Sequence, residues 1–211
     1  MATISRPVVS WWWDYPDKDS GLKKYDKVGL KDGVGTLNLW DLGVIKAGND
    51  ATIDDTVQTF YIWNNKGGSE VAQHMTNCEL TIRDGNSPDG SYFEGNADSP
   101  LVKEKWIEAR MFKTVKGDEV TESQGAWTKI GLNEDGSIAK LKFEAIGRGE
   151  TSAVDTFGTQ EISGGVNTGS FEEDTCKNNY AKIQMRLRVP SNAEAGQCDF
   201  IGRIYYSSRV V

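Results

Sequence analysis

The chain has 211 residues, 37% of them hydrophobic and 26% charged, with a formal net charge of −7. That length can bury a substantial core without staples, and no apolar run approaches the ~20 residues of a membrane span. The acidic balance argues against nucleic acid as a partner, because phosphate binding needs a basic face. Met1 to Pro7 lacks the basic and apolar regions of a secretory signal, so the producer's cytoplasm is the expected place of synthesis.

In chain order, the first predicted strand is Val8 to Trp13, within residues 1–35, which form either an extra strand or an N-terminal arm. Leu37 to Leu42 reads as a second strand. Val57 to Asn64 carries Phe60 and Ile62 on one face and Tyr61 and Trp63 on the other, so cover on both sides is expected. Glu70 to Met75 has mild helical character but is too short to carry a domain. Cys78, Leu80 and Ile82 then alternate with Glu79, Thr81 and Arg83. Trp106 to Phe112 and Trp127 to Ile130 read as a pair. Ala139, Leu141, Phe143 and Ala145 alternate with Lys140, Lys142 and Glu144. The clearest alternation sets Ala181, Ile183, Met185, Leu187 and Val189 against Lys182, Gln184, Arg186 and Arg188. Phe200 to Tyr206 closes the chain.

Turn dipeptides at Asp84-Gly85, Asp89-Gly90 and Asp135-Gly136 separate these runs. The polar stretches from Asp84 to Pro100 and from Gly147 to Asn179 read as loop insertions in one domain spanning residues 1–211. About nine or ten short strands with glycine turns predict an all-β, antiparallel β-sandwich.

Few residues suit catalysis. The three cysteines, Cys78, Cys176 and Cys198, are odd in number and form no CxxC, which disfavours a disulfide framework or structural zinc site. Buried thiols are expected, and a Cys176–Cys198 bridge stays open for a particle that matures outside the cell. The single histidine, His74, reads as a loop residue between two strands, with no nucleophile signature around any serine. Carboxylates such as Glu104 and Glu108 could form a glycosidase-type pair, yet they read as exposed on a mixed strand. Glu172-Glu173-Asp174 reads as a solvated acidic run. Asp84, Asn86 and Asp89, and Asp17 and Asp19, approach calcium-loop spacing but lack the bidentate glutamate. No catalytic, cofactor or metal residue is therefore assigned.

The most unusual local feature is Trp11, Trp12, Trp13 and Tyr15. Alternation sends Trp12 to one face and Trp11 and Trp13 to the other. The rings could serve the chain's own core, a subunit interface or a glycan platform; the interface reading assigns Trp11, Trp12, Trp13 and Tyr15 to a subunit contact.

Asp41-Leu42-Gly43-Val44-Ile45-Lys46-Ala47-Gly48, followed by Thr59 to Asn65, resembles the opening of many bacterial immunoglobulin-like modules. Arg188 to Gly196 resembles their closing hairpin. The chain also resembles a family of uncharacterised virion proteins of tailed bacteriophages of Gram-positive hosts, through Phe60 to Thr81, Glu104 to Glu108 and Tyr180 to Tyr206. These stretches cover about a third of the chain, and being structural they specify a fold better than a function. The resemblance implies an immunoglobulin-like sandwich with long loop insertions and a virion component with no catalytic residues to carry over.

The expected function is thus a non-enzymatic virion subunit, a capsid decoration or another head or tail accessory protein. Other virion proteins or a second copy would be its partners, with neither nucleic acid nor membrane. The alternative is a carbohydrate-binding module on a tail or baseplate, which would make a host-surface glycan a partner. A glycosidase ranks third.

Overall fold

The computed structural model describes residues 4–16, 23–28, 57–84, 99–115, 121–148, 160–194 and 200–210. In chain order these hold β1 (Val9–Pro16), β2 (Lys23–Val28), β3 (Gln58–Asn64), β4 (His74–Asp84), the one-turn helix α1 (Pro100–Lys103), β5 (Ile107–Val115), β6 (Thr121–Gln124), β7 (Thr128–Lys129), β8 (Gly131–Leu132), β9 (Ile138–Ala139), β10 (Leu141–Lys142), β11 (Tyr180–Leu187) and β12 (Phe200–Arg209). The fold is all-β, and its sheets are antiparallel. A seven-stranded sheet runs β2-β1-β3-β11-β5-β6, with β7 also on β5, and a three-stranded sheet runs β10-β4-β12. β8 and β9 form a separate hairpin whose turn carries Gly136 at φ +80°, as Asp135-Gly136 predicts. No helix among the described residues is long and apolar enough to cross a membrane.

The main core lies between the two sheets. From the larger sheet come Trp11, Phe60, Ile62, Ile107, Ala109, Ala181, Ile183, Met185 and Leu187. The smaller sheet supplies Met75, Cys78, Leu80, Ile82 and Leu141. The alternation of β11 therefore has the expected register. Its polar residues Lys182, Gln184 and Arg186 are only half exposed, because the outer face of the large sheet is itself partly covered.

Over β11 the partners are Glu122, Arg110, Glu108 and Trp127, and over β3 and the start of β11 the cover comes from residues 160–179. Tyr61, Trp63, Phe112, Ile146, Cys176 and Tyr180 form a second cluster, with Trp12, Tyr25 and Phe171 packed on it. β3, central between β1 and β11, is thus buried on both faces as its sequence predicts. Four asparagines hold the covering segment. The Asn64 amide donates to Gln73 and Ile162 carbonyls, and that of Asn65 to Glu70 and Gly164. Asn167 donates to Asn65 and Gly165, and Asn179 to Ser163 and Gly165. Each satisfies backbone groups that no sheet ladder reaches.

Two expectations change. Residues 70–75 are not helical: Ala72 bridges Ser5, and strand pairing resumes at His74. β4 is also longer than its alternation suggested. Asn77 takes φ +54°, and the register against β12 shifts between Tyr205 and Ser207. This bulge puts two residues of β4 opposite one of β12, so the buried series runs Met75, Cys78, Leu80, and period two fails at the step of three. The predicted strand Leu37 to Leu42 lies outside the described residues.

Candidate functional site

The outer face of the large sheet divides into an aromatic half and a cationic half. In the aromatic half, Tyr25 stacks on Phe171 at 3.9 Å, and Tyr61, Trp63 and Tyr180 meet Phe171 at 4.9 to 5.8 Å. The Lys66 ammonium sits over this group, 4.4 Å from the Trp12 ring, 5.1 Å from Phe171 and 5.3 Å from Trp63. Burial holds its pKa below the ordinary lysine value, and the nearby Cys176 works in the opposite direction. The aromatic faces supply the compensating attraction. Burial, then the Asp14 charge, pushes the Tyr61 phenol up; its hydroxyl donates to Asp14 at 2.9 Å.

In the cationic half, β5 and β11 align Glu108 with Arg186 and Arg110 with Gln184 as cross-strand pairs. Glu108 is 5% exposed, and Arg186 donates to its Oε2 through Nε at 2.8 Å and Nη2 at 2.6 Å. Arg188 Nη1 stands 3.8 Å from the other carboxylate oxygen. Trp127 lies against two guanidiniums, Arg186 at 4.1 Å and Arg110 at 4.3 Å. Burial and the Arg186 charge hold Arg110 below its ordinary pKa. Arg110 donates to Gln184 and has no ion-pair partner among the described residues.

Where β5 begins and β11 ends, the surface opens into a cleft of about 350 Å³. Glu104, Trp106, Glu108, Lys129, Arg188 and the 190–192 turn line it. Its walls are tied by backbone bonds: Arg188 N–H donates to the Trp106 carbonyl at 2.8 Å, and Ala193 N–H to Pro190 at 3.1 Å. Glu104 accepts the Trp106 indole N–H at 3.1 Å. The cleft thus offers cations, carboxylate acceptors, an amide and a hydroxyl at one end of the β5–β11 strand pair.

Comparison with known protein families, curated proteins and solved structures finds no match.

The cleft collects both candidate carboxylates, Glu104 and Glu108, but corrects their setting. Glu108 is not exposed: it is buried in the sheet and neutralised by Arg186, because the outer face of β11 is covered rather than free. The tryptophan row follows its predicted alternation. Trp11 is buried in the main core and Trp13 packs against it, whereas Trp12 lies in the outer cluster under Lys66. The chain's own residues thus supply the cover for which a neighbouring subunit was invoked. The backbone of Tyr15 pairs with Lys24 in the β1–β2 ladder.

His74 lies on β4 rather than in a loop, with Nδ1 against the Glu161 carboxylate, and Arg209 reaches the same carboxylate at 3.7 Å. The trio fastens residues 160–165 to β4, beside the backbone pair Met75–Ile162. Glu172, Glu173 and Asp174 are exposed as expected, with Asp174 paired to Lys177 at 2.8 Å. The described residues contain no group of three or more His, Cys, Asp or Glu side chains able to hold a metal. Asp84 is buried and accepts the Ser99 N–H at 2.9 Å, while residues 85–90 and 17–21 lie outside the described residues. Cys78 and Cys176 are buried free thiols, and Cys198 lies outside the described residues.

Sequence reading missed Lys66, Trp127, Lys129, Arg188 and Asn192 as site residues. The one usable signal is the run of basic residues alternating through β11, which periodicity alone places in water.

Proposed function

We propose that the chain is a non-catalytic structural subunit of a tailed-bacteriophage virion, a capsid decoration or another head or tail accessory protein on an elaborated immunoglobulin-like sandwich. One observation carries the reading: the stretches that resemble such virion proteins fall on the framework and not on its elaborations. Phe60 to Thr81 covers most of β3 and of β4, Glu104 to Glu108 leads into β5, and Tyr180 to Tyr206 includes β11 and most of β12. A rigid sandwich packed on both faces of its large sheet suits a part that transmits contacts without chemistry.

The test is mass spectrometry of gradient-purified particles from cells that express the chain. A fixed ratio to the major capsid protein across fractions is expected. Particles that lack the chain while the lysate contains it would overturn the reading.

A second reading, carbohydrate binding, is favoured by the polar cleft beside Trp106. Charged planar side chains with a tryptophan edge are the groups that hydrogen-bond sugar hydroxyls and pack on their C–H faces. Retention of the isolated chain on immobilised host-wall glycan supports it, and free passage would count against it.

A further inference from the structure

We infer that the cleft at the start of β5 binds an acidic saccharide, a sugar unit carrying a carboxylate or phosphate. The inference deepens the carbohydrate-binding reading and rests on it.

Charge is the first ground. Two guanidiniums address one buried carboxylate, and Arg186 already satisfies Glu108 through two short bonds. Arg188, with its side chain 49% exposed, reaches Glu108 only at 3.8 Å. That distance is beyond a hydrogen bond, so its donors are available to a ligand. Lys129 is exposed and has no carboxylate partner among the described residues. Lys105, by contrast, is committed to Asn133 at 2.8 Å. Two residues further along β5, Arg110 adds a further cation, hydrogen-bonded to Gln184 and with no ion-pair partner among the described residues. A chain of net charge −7 has thus gathered surplus positive charge at one end of the β5–β11 strand pair. An arginine fork and a lysine point charge together suit a carboxylate or phosphate group.

The second ground is that a bare anion does not fit. Glu104 is exposed on the cleft wall and keeps carboxylate lone pairs after accepting the Trp106 indole. A lone phosphate would be repelled by it, whereas a hydroxyl-bearing ligand would donate to it. Ser191 and Asn192 add groups that both donate and accept. Trp106, Val189 and Pro190 add apolar wall. A volume of about 350 Å³ is at the lower end of the roughly 300–1,000 Å³ of small-molecule sites, which fits a short saccharide segment. Backbone bonds hold the walls in place before binding, which reduces the ordering cost.

The test titrates the isotope-labelled full chain with trigalacturonic acid, glucose 6-phosphate, maltotriose and inorganic phosphate, following backbone and indole resonances. Saturable shifts at Trp106, Lys129 and residues 188–192 are expected with the two acidic sugars. Maltotriose and phosphate should each bind at least about tenfold more weakly, as loss of one charge-assisted contact or of the hydroxyl contacts implies. The double variant Arg188→Gln, Lys129→Gln should lose at least about tenfold in affinity for the acidic sugars with an unchanged melting temperature. Glu104→Gln should weaken sugar binding and strengthen phosphate binding.

Acidic sugars that leave the cleft resonances unmoved overturn the inference, as does a double variant that binds them normally. Maltotriose binding equally well also overturns it, though carbohydrate binding would then stand. Phosphate binding as tightly as glucose 6-phosphate reduces the cleft to a simple anion site and equally sinks the saccharide. Cleft binding by a chain missing from purified particles would reject the virion reading and keep this one.

Discussion

Ile183, Met185 and Leu187 project from β11 into the main core, each nearly or wholly buried. Leu187→Ala should cost about 2–5 kcal/mol, by lost transfer energy plus the cavity left behind. Chemical denaturation measures it, and a change below half a kilocalorie would place Leu187 outside the core. The buried phenols make a second prediction. Burial and then Glu172 push Tyr25 up to about 12, and burial raises Tyr61 and Tyr180 in the same direction. The unfolded chain ionises its tyrosines at about 10. Folded-state stability from these groups is therefore fully present below pH ~10 and is lost as pH rises through the folded values. Denaturation midpoints should fall from about pH 10 upward, with phenolate absorbance of Tyr61 and Tyr180 appearing only as the fold opens. Early absorbance in a chain with native circular dichroism would contradict the burial. Cys78, pushed up to about 12 by burial and then Glu161, should resist thiol reagents until denaturant is added, as should Cys176. Residue type alone made these thiols legible as small buried hydrophobes. Glu108 was not legible, because its burial depends on Arg186, a strand away and 78 positions later.

β1 is the element whose reading changes most between sequence and structure. Its alternation placed Trp11 and Trp13 together and Trp12 opposite, and that placement holds. What alternation could not say is that both faces find cover within the chain. β12 packs beneath Trp11, where a Cβ on Gly202 would lie 3.5 Å from the indole, while Phe171 and Lys66 meet Trp12. Trp11→Ala should therefore lower the stability of the isolated subunit by about 3–5 kcal/mol, read from its melting curve. An unchanged melt with failed assembly would restore the subunit-contact reading of Trp11, Trp12, Trp13 and Tyr15. The covering segment can be tested in the same way. A Cβ on Gly164 would sit 2.2 Å from the Ala72 carbonyl oxygen, a backbone atom that cannot turn aside. Gly164→Ala should break the Ala72–Gly164 hydrogen bond and detach residues 160–165 from β4, seen as faster amide exchange at Ala72 and Met75. β4 itself shows why pattern reading fails locally. Its bulge at Asn77 inserts a residue, and a period of two cannot be followed across it.

For the molecule as a whole, the two hydrophobic clusters share the large sheet. β3 contributes Phe60 and Ile62 to one and Tyr61 and Trp63 to the other, and β11 contributes Ile183 and Tyr180 likewise. The shared strands couple the packing of the two clusters. Urea unfolding should accordingly follow one transition, with tryptophan fluorescence and far-ultraviolet circular dichroism coinciding. Separated midpoints would mean that the outer layer of residues 160–179 melts independently of the sandwich. Along the chain alone, the all-β class, the inward faces of β3 and β11 and the Asp135-Gly136 turn were already legible. Each depends on interactions within a few residues or on a pattern repeated along one strand. That the outer face of the large sheet is roofed and that His74 meets Glu161 came from the folded arrangement. It alone brought Glu104, Lys129 and Arg188 around one cleft. Those outcomes join distant residues: His74 and Glu161 are 87 positions apart, and Tyr25 and Glu172 are 147 apart. They follow from which strands pair and which segment folds back over them, information that no local periodicity carries.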